Sequence, residues 1–394
     1  MRGFSGLFLL LLLLSPFASS FADETRPAGG PEIWLLTYGP GEIYWQRFGH
    51  NALWVRDPGR GLDHAFNFGF FDFEQEDFFL RFLQGRMLYF SAARPAQKEF
   101  AAYIDENRGI RAQRLNLTGE QAHRLAAYLV DDVRPENRDY LYDYYRNNCS
   151  TRVRDAIDLA LDGALNRATA DVAAEQSWRD HTRRLTQADF WLYLGLEIVL
   201  GAHVDRPGSR WGEMFIPSEL ADVATGFALE RGGRQEPLVV EDVVLHAATS
   251  PLPPASPSAW WPRYLLASLA LLAASWAVCR RLAPRLGPSL ARGWLILAGL
   301  AGFALLFFWF GTDYAVAANN LNLQVINPLW LVLGLQRGRE RAGLWIVLFF
   351  SALSLLMPLL PPWQYTLDVL AAFLPLNLAA AWVLYRSSRN VPGA

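Results

Sequence analysis

Hydrophobic and polar positions divide the chain into two parts with different patterns. From about residue 23 to residue 257, short apolar stretches alternate with polar ones, and this part holds all six histidines. After Trp260 the chain becomes a series of long apolar runs separated by short loops. Short periodic patterns are typical of a domain folded in water, whereas long apolar runs are typical of membrane-spanning helices. The pattern therefore predicts an aqueous domain followed by a membrane domain.

The aqueous part shows both strand and helix periodicity. Alternating apolar and aromatic positions predict strands at Ile33–Tyr38, His50–Val55, His64–Phe70, Met87–Ala93 and Ile110–Leu117. Helical spacing predicts a mostly helical region over 171–225 and helices at Glu74–Leu83, Pro95–Arg108, Thr118–Asp131 and Cys149–Asp162. This mixture predicts an α+β domain.

The first residues have the pattern of a secretory signal. Arg2 precedes an apolar run, and the small residues Ala18 to Ala22 follow it. This order predicts a signal peptide over residues 1–22, with an uncleaved anchor as the alternative. The predicted organisation is a signal peptide (1–22), an exported domain (23–250), a proline-rich linker (251–259), an all-α membrane domain (260–386) and a cytoplasmic tail (387–394).

Five apolar segments make up the membrane part, at about 260–279, 293–311, 322–336, 343–360 and 365–385. The third is the weakest prediction, since a span needs roughly 17 residues and Asn322 and Asn327 interrupt this one. Among the connections, arginines occur in alternate ones and in the tail, whereas 311–321 and 358–365 contain no Lys or Arg: the arginines are Arg280, Arg281, Arg285, Arg292, Arg337, Arg339, Arg341, Arg386 and Arg389. Because basic residues accumulate in cytoplasmic loops, this alternation predicts five spans beginning outside and ending inside. We therefore expect a multi-pass membrane protein with its exported domain on the outer side.

Charge and cysteine content narrow the classes of function. The formal net charge of −2 gives no reason to expect a nucleic acid partner. Cys149 and Cys279 are predicted to lie on opposite sides of the membrane, so they cannot pair. Cys149 is then a lone thiol in an oxidising compartment, either an inert buried residue or a functional one. One cysteine and scattered histidines lack the paired spacing of zinc ligands, and no metal or cofactor is expected.

The residues favour a cysteine–histidine active site. Cys149 begins a predicted helix, and a helix N-terminus with a nearby imidazole lowers the pKa of a thiol. His50 begins a strand and is the candidate base, while Asn67 or His64 on the following strand is the candidate for orienting its ring. Any single histidine is more often a surface or structural residue. In papain-type sites the cysteine helix comes first, so the order here predicts a circularly permuted papain-like domain.

Further polar residues are candidates for substrate binding. Arg152 and Arg154, on the helix of Cys149, form either a structural salt bridge or a clamp for an anionic head group, and Asn148 directly precedes the thiol. Asn322 and Asn327 lie in an asparagine-rich connection within the apolar sequence. They are either helix caps and turn residues or part of a site under Cys149 that holds a lipid.

Several motifs occur in the order found in a known family. They are Phe48–Val55, Phe66–Gly69 with Phe71–Phe73, Asn148–Asp155, Ser177–Arg179, Met214–Pro217 and Asn319–Asn322 with Asn327-Pro328. Together they resemble the bacterial Lnb-type family, whose members include lipoprotein N-acyltransferases. The resemblance implies Cys149 as nucleophile and His50 as base, and it favours Asn67 as the third residue. The histidine-then-cysteine order also resembles the lecithin–retinol acyltransferase group and the NlpC-type proteins.

The resemblance implies acyl transfer at the bacterial cytoplasmic (inner) membrane, with the exported domain on the periplasmic side. A phospholipid would load an acyl chain onto Cys149 as a thioester, and the chain would pass to an amine, with the N-terminal cysteine of a bacterial lipoprotein as the favoured acceptor. An envelope cysteine peptidase or amidase and a phospholipase are alternatives, because the same residue pair opens amides and esters. A secreted cell-wall hydrolase has no need of five spans, which weighs against the peptidase. A non-catalytic membrane scaffold is the alternative from another class.

Overall fold

The structure is a computed structural model that describes residues 30–281, 286–361 and 363–389. The predicted signal peptide lies outside the described residues, as do Arg285 and residues 390–394 of the predicted tail. The described part consists of a sheet-containing domain followed by a helical bundle.

One antiparallel sheet forms the centre of the first domain. The strands are β1 (Glu32–Tyr38), β2 (His50–Asp57), β3 (Leu62–Phe71), β4 (Leu88–Pro95), β5 (Ile110–Leu115), β6 (Asp139–Leu141), β7 (Ala228–Arg231), β8 (Arg234–Pro237) and β9 (Val239–His246). Seven of them pair in the order β6-β4-β3-β2-β1-β5-β9, and β7 pairs with β8 alone. The prediction of a domain that mixes strands and helices is confirmed.

Helices cover both faces of this sheet, and they also form the bundle that follows the first domain. The helices of the first domain are α1 (Phe78–Gln84), α2 (Ala96–Asp105), α3 (Gly119–Asp132), α4 (Cys149–Ala160), α5 (Ala164–Thr169), α6 (Trp178–Thr186), α7 (Phe190–Val199), α8 (Arg210–Glu213) and α9 (Pro217–Gly226). Those of the bundle are α10 (Trp261–Arg281), α11 (Leu286–Phe310), α12 (Leu329–Leu335), α13 (Glu340–Leu356) and α14 (Leu367–Arg389).

The two faces of the sheet bury different side chains because successive residues of a strand point to opposite sides. On one face, Leu53 and Phe66 belong to the same apolar cluster as Val153 of α4. On the other face, the Trp54 ring lies 5.2 Å from that of Phe100 in α2. The sheet is therefore enclosed between α2 and a layer that contains α3, α4 and α9.

Strand β9 is an element that the sequence pattern did not predict. It pairs with β5 and completes one edge of the sheet. Most of its residues are exposed, so it has little apolar alternation to mark it. Its charged residues instead pair across the edge, with Asp242 2.7 Å from Arg111 and Glu241 3.1 Å from Arg114.

The bundle contains four described helices that are long and apolar enough to cross a membrane: α10, α11, α13 with its 3₁₀ extension to Leu359, and α14. The third predicted span, 322–336, is not a continuous helix. A 3₁₀ turn at Leu321–Gln324 is followed by the seven-residue helix α12, which begins after Pro328. Pro328 has no N–H to donate, which suits the residue just before a helix, and α12 begins directly after it. The third predicted segment is therefore not one continuous helix, and the number of membrane crossings stays a prediction.

Although it is not one helix, the segment from 321 to 336 extends from one end of the bundle to the other. At the end near the first domain, the N–H of Leu321 donates to the Gln364 side chain, just before α14. At the far end, Arg292 of α11 donates to the carbonyl of Gln336 and pairs with Glu340 at 2.9 Å. The 16 residues from 321 to 336 thus run along the height of the bundle with only one short α-helix.

The first domain packs directly on the bundle through α6 and α7. The side-chain amide of Asn322 donates to the carbonyls of Glu197 and Ile198 at the end of α7. Tyr193 donates to Asp368 at the start of α14 over 2.7 Å. These contacts hold the sheet domain at one end of the bundle.

Candidate active site

Cys149 is the first residue of α4, and its neighbours hold the helix start in place. Asn148 caps the helix: its side chain accepts from the N–H of Thr151, and the Thr151 side chain accepts from the N–H of Asn148. The Asn148 amide also donates to the carbonyls of Tyr144 and Phe215. The structure therefore gives Asn148 a positioning task, because these bonds fix the thiol relative to the sheet.

The thiol lies where β2 and β3 diverge. The β3–β4 register shifts between Asn67 and Phe70, and Gly69 in this bulge has a φ of +100°. A Cβ at Gly69 would lie 3.6 Å from the Cβ of Cys149, so the cysteine packs directly against this strand. Cys149 is buried, with 9% of its surface exposed.

Four side chains on the α2 side of the sheet form one hydrogen-bonded chain. His50 Nε2 lies 2.9 Å from Asn67 Oδ1, and Asn67 Nδ2 donates to Glu99 Oε2 over 2.7 Å. Tyr38 donates its hydroxyl to Glu99 Oε1 over 2.6 Å. The structure thus brings His50 and Asn67 together, as the sequence predicted, and adds Glu99 and Tyr38.

This chain selects one tautomer of His50. Asn67 Nδ2 faces two acceptors, Glu99 and the carbonyl of Ala65, so its other atom, Oδ1, is the oxygen. An oxygen there can only accept, which requires a proton on His50 Nε2. Nδ1 is then left unprotonated and free to take a proton.

His64, the other candidate for the third position, lies on the opposite face of the sheet. It is paired with Val55, whose side chain belongs to the α4 side, whereas Asn67 is paired with Ala52 on the α2 side. His64 and Asn67 are three positions apart, and an odd difference in position along a strand reverses the face. The structure does not bring His64 to His50.

Burial has the largest effect on the pKa values of Cys149 and His50. Burial raises the pKa of Cys149, and hydrogen bonds from the backbone N–H groups of Asn51 and Ser150 offset this only in part. Burial lowers the pKa of His50 to about 4. The expectation of a thiol with a lowered pKa is therefore wrong for the resting site, because loss of solvation outweighs the helix N-terminus. The resting site holds a neutral thiol and a neutral imidazole.

The same hydrogen bonds place the thiol and the imidazole at one end of β2. Asn51, whose N–H hydrogen-bonds the Cys149 sulfur, directly follows His50. The charge of Arg108 also lowers the pKa values of both His50 and Cys149. The thiol and the imidazole therefore lie near the same end of β2, within reach of the same arginine charge.

Glu99 and Tyr38 belong to this site but were not predicted from the sequence. Burial raises the pKa of Glu99, although hydrogen bonds from Tyr38 and Asn67 lower it. One signal was available: Ala96, Glu99 and Phe100 occupy one face of α2, and an acidic residue on an apolar face needs a buried partner.

The predicted substrate-binding arginines already have protein partners. Arg152 pairs with Asp132 at 3.0 Å, and its guanidinium lies 4.1 Å from the centre of the Tyr140 ring. Arg154 pairs with Asp155 and donates to the carbonyl of Trp211. These contacts match the structural alternative that we weighed for both residues.

The bundle asparagines are likewise bound to backbone groups. Asn322 is fully buried and holds the end of α7, and Asn327 accepts from the N–H of Leu329 at the start of α12. The structure places both in the helix-capping role and does not bring them to the thiol. Within the described ranges there is also no group of three or more His, Cys, Asp or Glu residues that could hold a metal ion.

Comparison with known families covers both parts of the chain. Residues 20–187 match the model described as the Lnb N-terminal periplasmic domain, and residues 256–391 match the one described as the Lnb transmembrane domain. Comparison with curated proteins and with solved structures finds no significant match. The two matches confirm the resemblance that the motifs indicated and support an envelope protein with a periplasmic domain on membrane-spanning helices. The chain belongs to the Lnb family.

Proposed function

We propose that this protein is a thiol-dependent acyltransferase that moves an acyl chain from a membrane phospholipid to an amine. The observation that supports this most is the placement of a buried thiol beside the His50–Asn67–Glu99 chain, in a domain that packs directly on an apolar bundle. A site of this kind has direct access to a lipid ester.

The first half-reaction forms a thioester. The Cys149 sulfur attacks the ester carbonyl carbon while its proton passes to Nδ1 of His50. The new C–S bond forms and the ester C–O bond breaks, and the departing lysophospholipid oxygen takes the proton back from His50. Cys149 is left as the acyl thioester, and His50 is neutral again.

The second half-reaction regenerates the thiol. An amine attacks the thioester carbon, the C–N bond forms and the C–S bond breaks. His50 takes one proton from the attacking nitrogen and returns it to the sulfur. The N-terminal cysteine of a lipoprotein is the acceptor we favour from the family resemblance.

Backbone donors support the tetrahedral intermediates of both steps. The N–H groups at the start of α4 point toward the sulfur, and Asn51 contributes a third donor from β2. Such donors stabilise an oxyanion strongly in a site without water. Asn67 and Glu99 act as positioning residues, because they hold the imidazole rather than touch the substrate.

The test uses the full chain in phospholipid vesicles with a synthetic diacylated lipopeptide that has a free N-terminal amine. Mass spectrometry should show the lipopeptide gaining one acyl chain as the phospholipid loses one. Release of free fatty acid alone would contradict the proposal and indicate a phospholipase. Cleavage of the peptide would contradict it and indicate a peptidase. The absence of all three products would favour a scaffold.

A further inference from the structure

A series of contacting aromatic rings leads away from the thiol. A Cβ at Gly69 would lie 3.6 Å from Cys149 and 3.5 Å from the Tyr142 ring, so all three residues meet. The Tyr142 ring stacks on Tyr89 at 4.0 Å, and Tyr89 lies 5.3 Å from Phe71. The first part of the series therefore runs from β3 along β4.

The same line of rings continues to the surface. The Phe71 ring lies 4.8 Å from Phe73, which lies 5.3 Å from Phe78, and Phe78 lies 5.6 Å from Phe79. Phe73 and Phe79 are 63% and 79% exposed. We call the rings of Tyr142, Tyr89, Phe71, Phe73, Phe78 and Phe79 the aromatic track.

Helix α1, where the track ends, is apolar but has no buried residue. Five of its seven residues are Phe or Leu. Leu80, Phe82 and Leu83 are 51%, 47% and 46% exposed. Apolar patches of this kind are rare on soluble surfaces, so an apolar partner must cover α1.

The attachment of α1 to the bundle identifies this partner. The carbonyl of Gln84 accepts from the N–H of Asp313, and the Phe82 carbonyl accepts from the Tyr314 hydroxyl over 2.6 Å. Arg86 also pairs with Asp313 at 2.6 Å. Asp313 and Tyr314 come three and four positions after the end of α11, a helix of membrane-spanning length whose last residue, Phe310, is 73% exposed.

We infer that α1 inserts into the bilayer surface beside the end of α11, and that the aromatic track guides an acyl chain of a phospholipid from there to Cys149. The occupant is lipid because the exposed face of α1 continues the apolar surface of a spanning helix. Aromatic side chains are also enriched where membrane and water meet. This inference rests on the proposed function and adds the route by which the donor reaches the thiol.

The first test compares two exposed leucines in the full chain. Leu80→Glu introduces a charge on α1, and Leu159→Glu is the matched control, because both leucines are 51% exposed and Leu159 lies near the far end of α4. We measure thioester formation on Cys149 from vesicles of phosphatidylethanolamine and phosphatidylglycerol, and from water-soluble p-nitrophenyl butyrate. The ratio of the vesicle rate to the butyrate rate should fall about tenfold in Leu80→Glu, because a charge opposes insertion, and should not change in Leu159→Glu. An unchanged ratio in Leu80→Glu would overturn the inference.

The second test does not depend on activity. Leu80→Cys and Leu159→Cys, each in a chain in which Cys149 and Cys279 are replaced by alanine, carry a spin label in the same vesicles. The label at position 80 should be accessible to oxygen dissolved in the bilayer, and the label at position 159 to a water-soluble nickel complex. Equal access of both labels to nickel would exclude insertion of α1. A wild-type chain that forms no thioester from either donor would instead refute the proposed function, while the label at position 80 still decides where α1 lies.

Discussion

The Asn67 side chain has one defined orientation because each of its polar atoms has a partner. Its oxygen faces His50, and its nitrogen donates to Glu99 and to the carbonyl of Ala65. The imidazole is thereby held with Nδ1 free, which the proposed chemistry requires. The reactivity of the site thus depends on a residue that does not touch the substrate.

Asn67→Ala should slow thioester formation by about 10-fold to 100-fold, a part of what general base catalysis contributes. The base loses its orientation, while alkylation of the thiol by iodoacetamide should stay close to the wild-type rate. His64→Ala is the matched control on the same strand, and it should retain full activity because its side chain lies on the opposite face. A larger loss in His64→Ala than in Asn67→Ala would contradict this assignment.

At this scale the sequence predicted only part of the site. Cys149 and His50 stay predictions, which rest on a lone thiol, a strand-mounted imidazole and the family motifs. The choice between Asn67 and His64 required the register of β2 with β3, which decides the face of each. Glu99 comes from a helix 32 residues away and meets Asn67 only through tertiary packing.

Among the elements, α4 shows two opposing effects on its first residue. Its N-terminal N–H groups favour a thiolate at Cys149, but burial against β3 disfavours any charge, and burial dominates. The balance could not be predicted from the sequence, because the depth of burial depends on how α4 meets the sheet.

The pH dependence of alkylation tests this balance. In a Cys279→Ser chain, the rate of Cys149 alkylation should keep rising with pH beyond the ordinary range of a cysteine pKa, because the Cys149 pKa is raised. Thioester formation should be lost as the pH falls through about 4, where His50 takes a proton and no longer acts as a base. An alkylation rate that is already constant at mildly acidic pH would reveal a thiolate–imidazolium pair and contradict the neutral resting site.

The elements were predicted best where apolar periodicity was strong. Strands β1 to β5 and helices α2 to α4 lie close to their predicted positions. β9 was missed because most of its residues are exposed and charged residues interrupt its apolar positions. The third apolar segment was predicted as one span, but it is not one continuous helix, because α12 begins only after Pro328.

At the scale of the whole molecule, the two ends of the bundle differ in their charged residues. The domain-facing end is held by α7, Asn322 and Gln364, whereas Arg292 and Glu340 pair at the other end. Arg281 and Arg389 close α10 and α14 at that same far end. Arg281, Arg292 and Arg389 therefore lie at the end of the bundle away from the candidate active site.

Reporter fusions in cells test the resulting topology. A reporter at Arg339 should be active only in the cytoplasm, and reporters at Asn319 and Trp363 only outside it, because arginine-rich loops stay inside. Both external positions lie on the side of the thiol. A cytoplasmic Asn319 would contradict the prediction that segment 322–336 crosses the membrane.

The most direct test of the central claim is the chemical state of Cys149 after the full chain meets phospholipid vesicles. Peptide mass spectrometry should find one acyl chain on the peptide that contains Cys149, released by hydroxylamine as a thioester is. The adduct and the acyl transfer should both be absent in Cys149→Ala and present in Cys279→Ser, since Cys279 lies in α10 toward the far end of the bundle. Continued acyl transfer by Cys149→Ala, or an acyl chain on another residue, would contradict the account.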